Sequence, residues 1–222
     1  MEGRRARLRA HLLDEIKTAA LDELRRSGAA ALSLREVARA AGISPAGLYR
    51  YVDGRDGLLE LLISDGWASL GVAVDGALDA AEPGLLSELD AVAAAYRRWA
   101  LENPAQFGLI LGTPVPGFDA DEEGPTAPAV RGFGGSMIRP LARAYAAGQL
   151  TGVDDTEDQV DLWGLDPELD TVPAPLLALM LRGWARIHGL VSLEVFGHLR
   201  WTDADVGALL AAETRLIVDE LT

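Results

Sequence analysis

The stretch SLREVARAAGISPAGLYRYVDGRDGLL, residues 33–59, decides how this chain is read. Leu34, Val37, Ala38 and Ala41 recur at helical spacing, and Gly42 then ends the helix. Glycine suits that place because it accepts the left-handed conformation of a tight C-terminal turn. Ser33 stands three residues before Glu36, a capping-box pattern that marks the helix start. Ile43 covers the turn. Ser44 caps a second short helix, with Pro45 at the first helical position, where its missing N–H costs nothing. Two short helices joined by a tight glycine-containing turn form a helix-turn-helix unit. The second helix is small, Arg-bearing and aromatic-tipped (Ala46, Gly47, Tyr49, Arg50, Tyr51), which suits a DNA major groove.

Upstream, Leu12, Leu13, Ile16, Ala19, Ala20 and Leu24 form one stripe between Ala10 and Ser27, and Gly28 ends it. This amphipathic helix is expected to pack across the other two, because a helix pair alone buries too little apolar surface to fold. The DNA-binding domain is therefore set at residues 10–56. Residues 1–9 (MEGRRARLR) are expected to fray, with a phosphate-touching arm as the alternative. Downstream, residues 52–57 read as a turn, and an apolar-periodic run from Leu58 to about Leu78 reads as one long helix leading into a second domain, residues 57–222. Gly66 and Gly71 weaken that helix, so a kink near Gly66 is expected.

The net charge of −14 divides unevenly. Residues 1–60 carry 11 Lys+Arg against 9 Asp+Glu, whereas residues 61–222 carry 9 against 25. An acidic remainder repels DNA, which leaves the N-terminal segment as the docking face. Lys17 is the only lysine, so the basic charge is almost all Arg and available for bidentate contacts. The absence of cysteine excludes disulfides and thiolate metal sites, and the three histidines are scattered. No metal and no cofactor is expected. No signal-peptide core and no run of 18 or more apolar residues appears, so a cytoplasmic protein without a membrane partner is expected.

No strand pattern appears anywhere, and the expected fold is all-α. Helices are expected over Leu85–Leu101, Pro104–Leu111, Ala129–Gly148, Pro173–Leu199 and, capped by Thr202, Asp203–Leu221, with a loop over 112–128. Residues 151–172 hold eight carboxylates and no basic residue, which reads as a solvated loop; the calcium alternative lacks the EF-hand ligand order. The last two helices carry more apolar surface than one small domain hides, which points to a subunit interface through Val191, Val195, Leu209, Leu210, Leu216 and Ile217. Trp67, Tyr96, Trp99, Phe107, Tyr145, Met180 and Trp184 are core-like one by one, but as a set they are candidates to line an apolar ligand pocket. His188 stands one turn from Trp184 and shares its face, as a core histidine or as a polar handle in that pocket. Catalytic motifs are absent: no G-x-S-x-G, no P-loop and no dinucleotide fingerprint.

Residues 10–62 resemble the DNA-binding domain of TetR/AcrR-family transcriptional regulators, in the order helix, SLREVARAAGISPAGLYRYV, turn, RDGLL. The segment RGWARIHGLVSLE, residues 182–194, is similar to the WHG-type C-terminal domain of one branch, with Trp184, His188 and Gly189 at the naming spacing. The resemblance implies a homodimer on a near-palindromic double-stranded operator and a small apolar ligand that changes the separation of the two heads. A regulator controlled instead by a protein partner through the acidic loop is one alternative; an α-helical enzyme with an incidental helix-turn-helix is another. The sequence departs from the family pattern at Val52, Arg55 and Gly47, where phenylalanine, lysine and threonine or serine are usual. Arg50 is the candidate for reading a base, together with the short residues Pro45, Ala46 and Gly47. Arg35, Arg55, the hydroxyls of Tyr49 and Tyr51, and the helix N-termini at Ser33 and Ser44 are assigned to phosphates, with the alternative that one of the two tyrosines packs against the first helix.

Overall fold

A computed structural model of the chain describes residues 2–119, 123–150 and 173–221. The acidic stretch 151–172 lies outside the described residues. Among those described there is no strand, and nine α-helices follow one another. They are α1 (Glu2–Ser27), α2 (Leu34–Ala40), α3 (Pro45–Leu48), α4 (Gly54–Ala80), α5 (Leu85–Glu102), α6 (Pro104–Leu111), α7 (Ala127–Ala146), α8 (Ala174–Val195) and α9 (Val206–Asp219). The helices gather into two compact units. One comprises Met1–Gly66 and Ala105–Ala127, the other Trp67–Pro104 and Pro128–Thr222.

In the first unit the apolar stripes meet as their spacing requires. Ile16, Ala20 and Leu24 of α1, Val37 and Ala38 of α2, Leu48 of α3, and Leu58, Leu59 and Leu62 of α4 are all buried. α1 packs on α2, and α2 on α3. Val52 is buried too, so this β-branched residue fills core space at the turn. Lys17 Nζ lies 2.7 Å from Asp65 Oδ2, which ties α1 to α4 by an ion pair.

Two expectations about this unit change. The helix begins at Glu2 rather than Ala10, so residues 2–9 extend α1 instead of fraying. α4 begins at Gly54, inside the expected turn, because the Asp53 carbonyl already accepts from Gly57 N–H at 3.1 Å. α4 is one continuous helix through Gly66. There the missing side chain serves close packing, since a Cβ at Gly66 would stand 3.1 Å from Ile110 Cγ2.

In the second unit α5, α8 and α9 pack on one another. Leu89, Ile138, Leu141, Leu176, Leu179, Ile217 and Leu221 form its core, with Met180, Leu177 and Val218 packed against it. Polar pins join the same helices: Arg97 forms a fork to Glu194 at 2.6 and 2.7 Å, and Thr214 donates to Asp90. The cap of α9 is Asp205, whose Oδ1 accepts from Ala208 N–H at 3.1 Å, not Thr202. Thr202 Oγ1 instead donates to the Leu199 carbonyl and accepts from Ala204 N–H, so it closes the preceding turn. α7 continues past Pro140, which leaves the Ser136 carbonyl without its helical N–H partner. By length and composition α4 and α8 could each cross a membrane, but each contributes buried side chains to a helical core.

Ile217 is buried in the core shared by α7, α8 and α9. Ile217→Ala is expected to destabilise the protein by about 2–5 kcal/mol, read as a lower urea midpoint.

Candidate functional site

The first unit presents one polar face, and local chemistry builds it. Gly42 adopts φ +68°, and Ile43 N–H returns to the Ala38 carbonyl at 3.0 Å, which closes α2 and turns the chain. Ser44 Oγ then accepts from Gly47 N–H at 3.0 Å and starts α3. Ser33 Oγ accepts from Glu36 N–H at 3.4 Å and starts α2. Both cap hydroxyls accept along the helix, so their own O–H groups remain the donors an anion can use.

Around this turn Ser44, Pro45, Ala46, Tyr49 and Arg50 are exposed, with Tyr49 at 60%. Arg35 is exposed at the first turn of α2, while Arg39, one turn on, forks to Glu36 at 2.7 and 3.0 Å. The Arg39 guanidinium, with its hydrogen bond first, holds the Glu36 carboxyl below its usual range. Gly47 leaves the Ser44 cap uncrowded, since a Cβ there would stand 3.2 Å from Ser44 Oγ. Tyr49 and Tyr51 part company: Tyr49 points outward, and Tyr51 is half-buried beneath Arg9 of α1.

Arg55 is placed differently from the sequence assignment. Its Nη2 donates to the Ala29 carbonyl at 2.9 Å and to the Ala30 carbonyl at 3.4 Å. It therefore braces the turn between α1 and α2 from the first turn of α4, and a guanidinium so engaged is a structural brace first. Sequence spacing gave no signal of this, because the partners are backbone oxygens 25 and 26 residues away.

The second unit brings part of the candidate ligand set together. Trp184 and His188 have ring centroids 5.3 Å apart, as one-turn spacing demands. Tyr96 Oη lies 2.7 Å from His188 Nδ1, and His188 Nε2 lies 3.2 Å from Ser192 Oγ. Phe133, which the sequence reading missed, joins this group to Trp67, at 6.3 Å from Tyr96 and 5.2 Å from Trp67. The glycine-rich opening of α7 had hidden its helical register. Burial pushes the Tyr96 phenol well above its usual range, opposed only by the nearby Trp184 indole N–H. That indole nitrogen is buried and closes no hydrogen bond of normal geometry within the protein. Burial also lowers the His188 pKa, so the imidazole is held neutral. The Tyr96 hydroxyl and His188 Nδ1 share one hydrogen bond, whose donor follows the histidine tautomer. Beside Trp67 and Phe133 runs an open groove of about 590 Å³ between α4 and α7, with Asp75, Ser136 and Arg139 on its wall. Ser136 and Arg139 both donate to Asp75, at 2.7 and 3.0 Å.

The other candidates fall elsewhere. Phe107 is buried in the first unit, and Tyr145 is exposed. Met180 packs against the Leu89–Ile217 core, and Trp99 Nε1 donates to Ser69 Oγ at 3.0 Å. Their helical spacing was real, but it could not say which face each one took. The interface set divides in the same way. Val191, Leu210 and Ile217 are buried inside the protomer and cannot face a partner, Val195 is half-buried, and Leu209 and Leu216 are exposed. Exposed Leu181 and Leu193 lie on α8, and exposed Phe196 and Trp201 in the turn that follows it, Trp201 at 85%.

A family model described as bacterial regulatory proteins, tetR family, matches residues 16–62. Another, described as tetracyclin repressor-like, C-terminal domain, matches residues 89–217. HTH-type transcriptional regulators of Mycobacterium tuberculosis and Mycobacterium bovis are 34% identical to this chain over 226 residues, covering 97% of it and 94% of their own length. Among crystal structures, SCO4313 superposes with a TM-score of 0.77 at 30% identity, covering 96% of this chain and 98% of that one. The fold also matches FadR of Bacillus subtilis, crystallised with stearoyl-CoA, at a TM-score of 0.68 and 13% identity, covering 94% and 98% of the two chains.

The lowered His188 pKa has a consequence for stability. The unfolded chain binds a proton at this histidine below about pH 6.5 while the folded chain resists it. Stability is therefore expected to fall as pH drops through about 6.5 towards the folded-state pKa and to level off below that. His188→Gln should flatten this part of the profile, measured as urea midpoints of both proteins across about pH 5 to 8.

Proposed function

The chain belongs to the tetR family of bacterial regulatory proteins, and from that premise we propose that it is a ligand-responsive repressor binding a near-palindromic operator as a homodimer. The family and its relatives here are transcriptional regulators, not enzymes. The observation that carries the reading is the polar face at the α2–α3 turn. It sets Arg50, Tyr49 and Arg35 outward in the part of an acidic chain that is not itself acidic. Arg50 reads a base edge, while Arg35, Tyr49 and the two capped helix starts hold phosphates and set the register. α3 is short, so few side chains reach bases, and specificity depends on fixing their direction.

The dimer is supported by the exposed apolar residues of α8 and α9, since Leu209, Leu216, Leu193 and Phe196 have no aqueous use. Two copies joined there would present two heads, as a near-palindrome needs. The ligand is supported by the Trp67–Phe133–Tyr96–His188–Trp184 cluster. It offers an apolar molecule the half-buried rings of Trp67 and Trp184 beside the buried rings of Phe133 and Tyr96. These features suit a small, mostly apolar ligand. The protein acts in the cytoplasm, where its operator is.

Two measurements test this. A duplex enriched from a randomised DNA library by the wild-type protein should bind with an affinity that falls linearly with salt on logarithmic axes, and Arg50→Ala should lose roughly tenfold or more. Failure to enrich any duplex would remove the DNA-binding reading. In sedimentation, the wild type should run as a dimer and Leu209→Glu with Leu216→Glu as a monomer; a monomeric wild type would remove the dimer.

A further inference from the structure

We propose that Arg9 is a positioning residue for operator recognition, acting through the ring of Tyr51, and that the first turns of α1 are thereby part of the reading surface. The proposal rests on the DNA-binding reading above. It starts from a contact between two residues that the chain separates widely: the Arg9 guanidinium lies over the Tyr51 ring, 5.7 Å from its centroid.

The contact exists because α1 is longer than its apolar stripe. Ile16, Ala19 and Ala20 are buried and anchor the helix, which continues unbroken back to Glu2. At 1.5 Å per residue, Arg9 projects roughly 10 Å beyond Ile16. It reaches the region just after α3, where the backbone is already fixed: Tyr51 N–H and Val52 N–H both return to the Leu48 carbonyl, at 2.9 and 3.2 Å. Those bonds set the path of the chain but leave the Tyr51 side chain its own rotation. A guanidinium held over the ring face restricts that rotation, because the ring quadrupole attracts the cation.

Two further features place the contact at the reading surface. Arg50, the candidate base reader, is the neighbouring residue. With Arg9 and Tyr51 it also lines an open groove of about 550 Å³, whose opposite wall is Leu8, His11, Leu12 and Glu15 of α1. A Tyr51 ring free to turn would fill this groove differently and change the space in which Arg50 is held. Arg9 therefore contributes to affinity without itself having to touch DNA.

The test uses the full-length protein and a duplex enriched from a randomised library by the wild type. Arg9→Ala should weaken binding roughly two- to fivefold, the size of an exposed cation–π contact, with an unchanged dependence on salt. Arg9→Lys should recover part of the loss. In a Tyr51→Leu background Arg9→Ala should have no further effect, which is the coupling that a double-mutant cycle measures. Thermal melts would confirm that each variant folds. If Tyr51→Leu does not fold, Tyr51→Phe serves in the opposite sense: it keeps the ring, so Arg9→Ala should still cost its full factor. Additive effects of Arg9→Ala and Tyr51→Leu, or no effect of Arg9→Ala in the Tyr51→Phe background, would overturn the proposal. So would a salt slope shallower by about one unit in Arg9→Ala, since that is the signature of a direct phosphate contact. Enrichment of no duplex would overturn the DNA-binding reading itself, and this proposal with it.

Discussion

The reading head depends on one backbone conformation, the left-handed turn at Gly42. With φ at +68°, the chain turns within a few bonds between the end of α2 and the start of α3. A side chain at this position would work against the conformation by roughly 1 kcal/mol or more. The turn is reinforced from both sides: Ile43 N–H closes on Ala38, and Ser44 opens α3. Because α3 has only four residues, it contributes little helical stability of its own. Its position is held by Leu48, buried beneath it, and by the caps around it.

A second constraint is electrostatic. The chain as a whole is strongly acidic, yet its first 60 residues are slightly basic. For a protein that approaches a polyanion, this division directs the encounter, because the acidic remainder is repelled wherever it comes within a Debye length of DNA. Within the head the basic groups are sorted by use. Arg39 is engaged with Glu36 and Arg55 with backbone carbonyls, whereas Arg35 and Arg50 stand exposed. Counting arginines would overestimate the contacts available to DNA; their partners decide which remain.

In the second unit, polar groups placed among aromatic rings set the chemistry. Burial lowers the His188 pKa and raises that of Tyr96, so it favours the neutral form of each. The pair forms a hydrogen-bonded link between α5 and α8, flanked by Trp184 on the helix of the histidine and by Phe133 from α7.

Much of the fold was legible in the sequence because local rules write it there. The caps at Ser33 and Ser44, the stop at Gly42 and the amphipathic stripes of α1 and α5 act over a few residues, and the structure contains each of them. The all-α class followed from periodicity for the same reason. Sequence could not decide the facing of long apolar helices or the destination of long side chains. α8 is apolar on nearly every side, so only packing decided that Val191 is buried and Leu193 is exposed. Nor could it find that Arg55 braces the Ala29 carbonyl, that Arg9 covers Tyr51, or that Phe133 completes the aromatic cluster. Capping and turn energies are fixed by neighbours along the chain. Burial and long-range pairing depend on which surfaces meet, and that is settled only when the whole chain has packed.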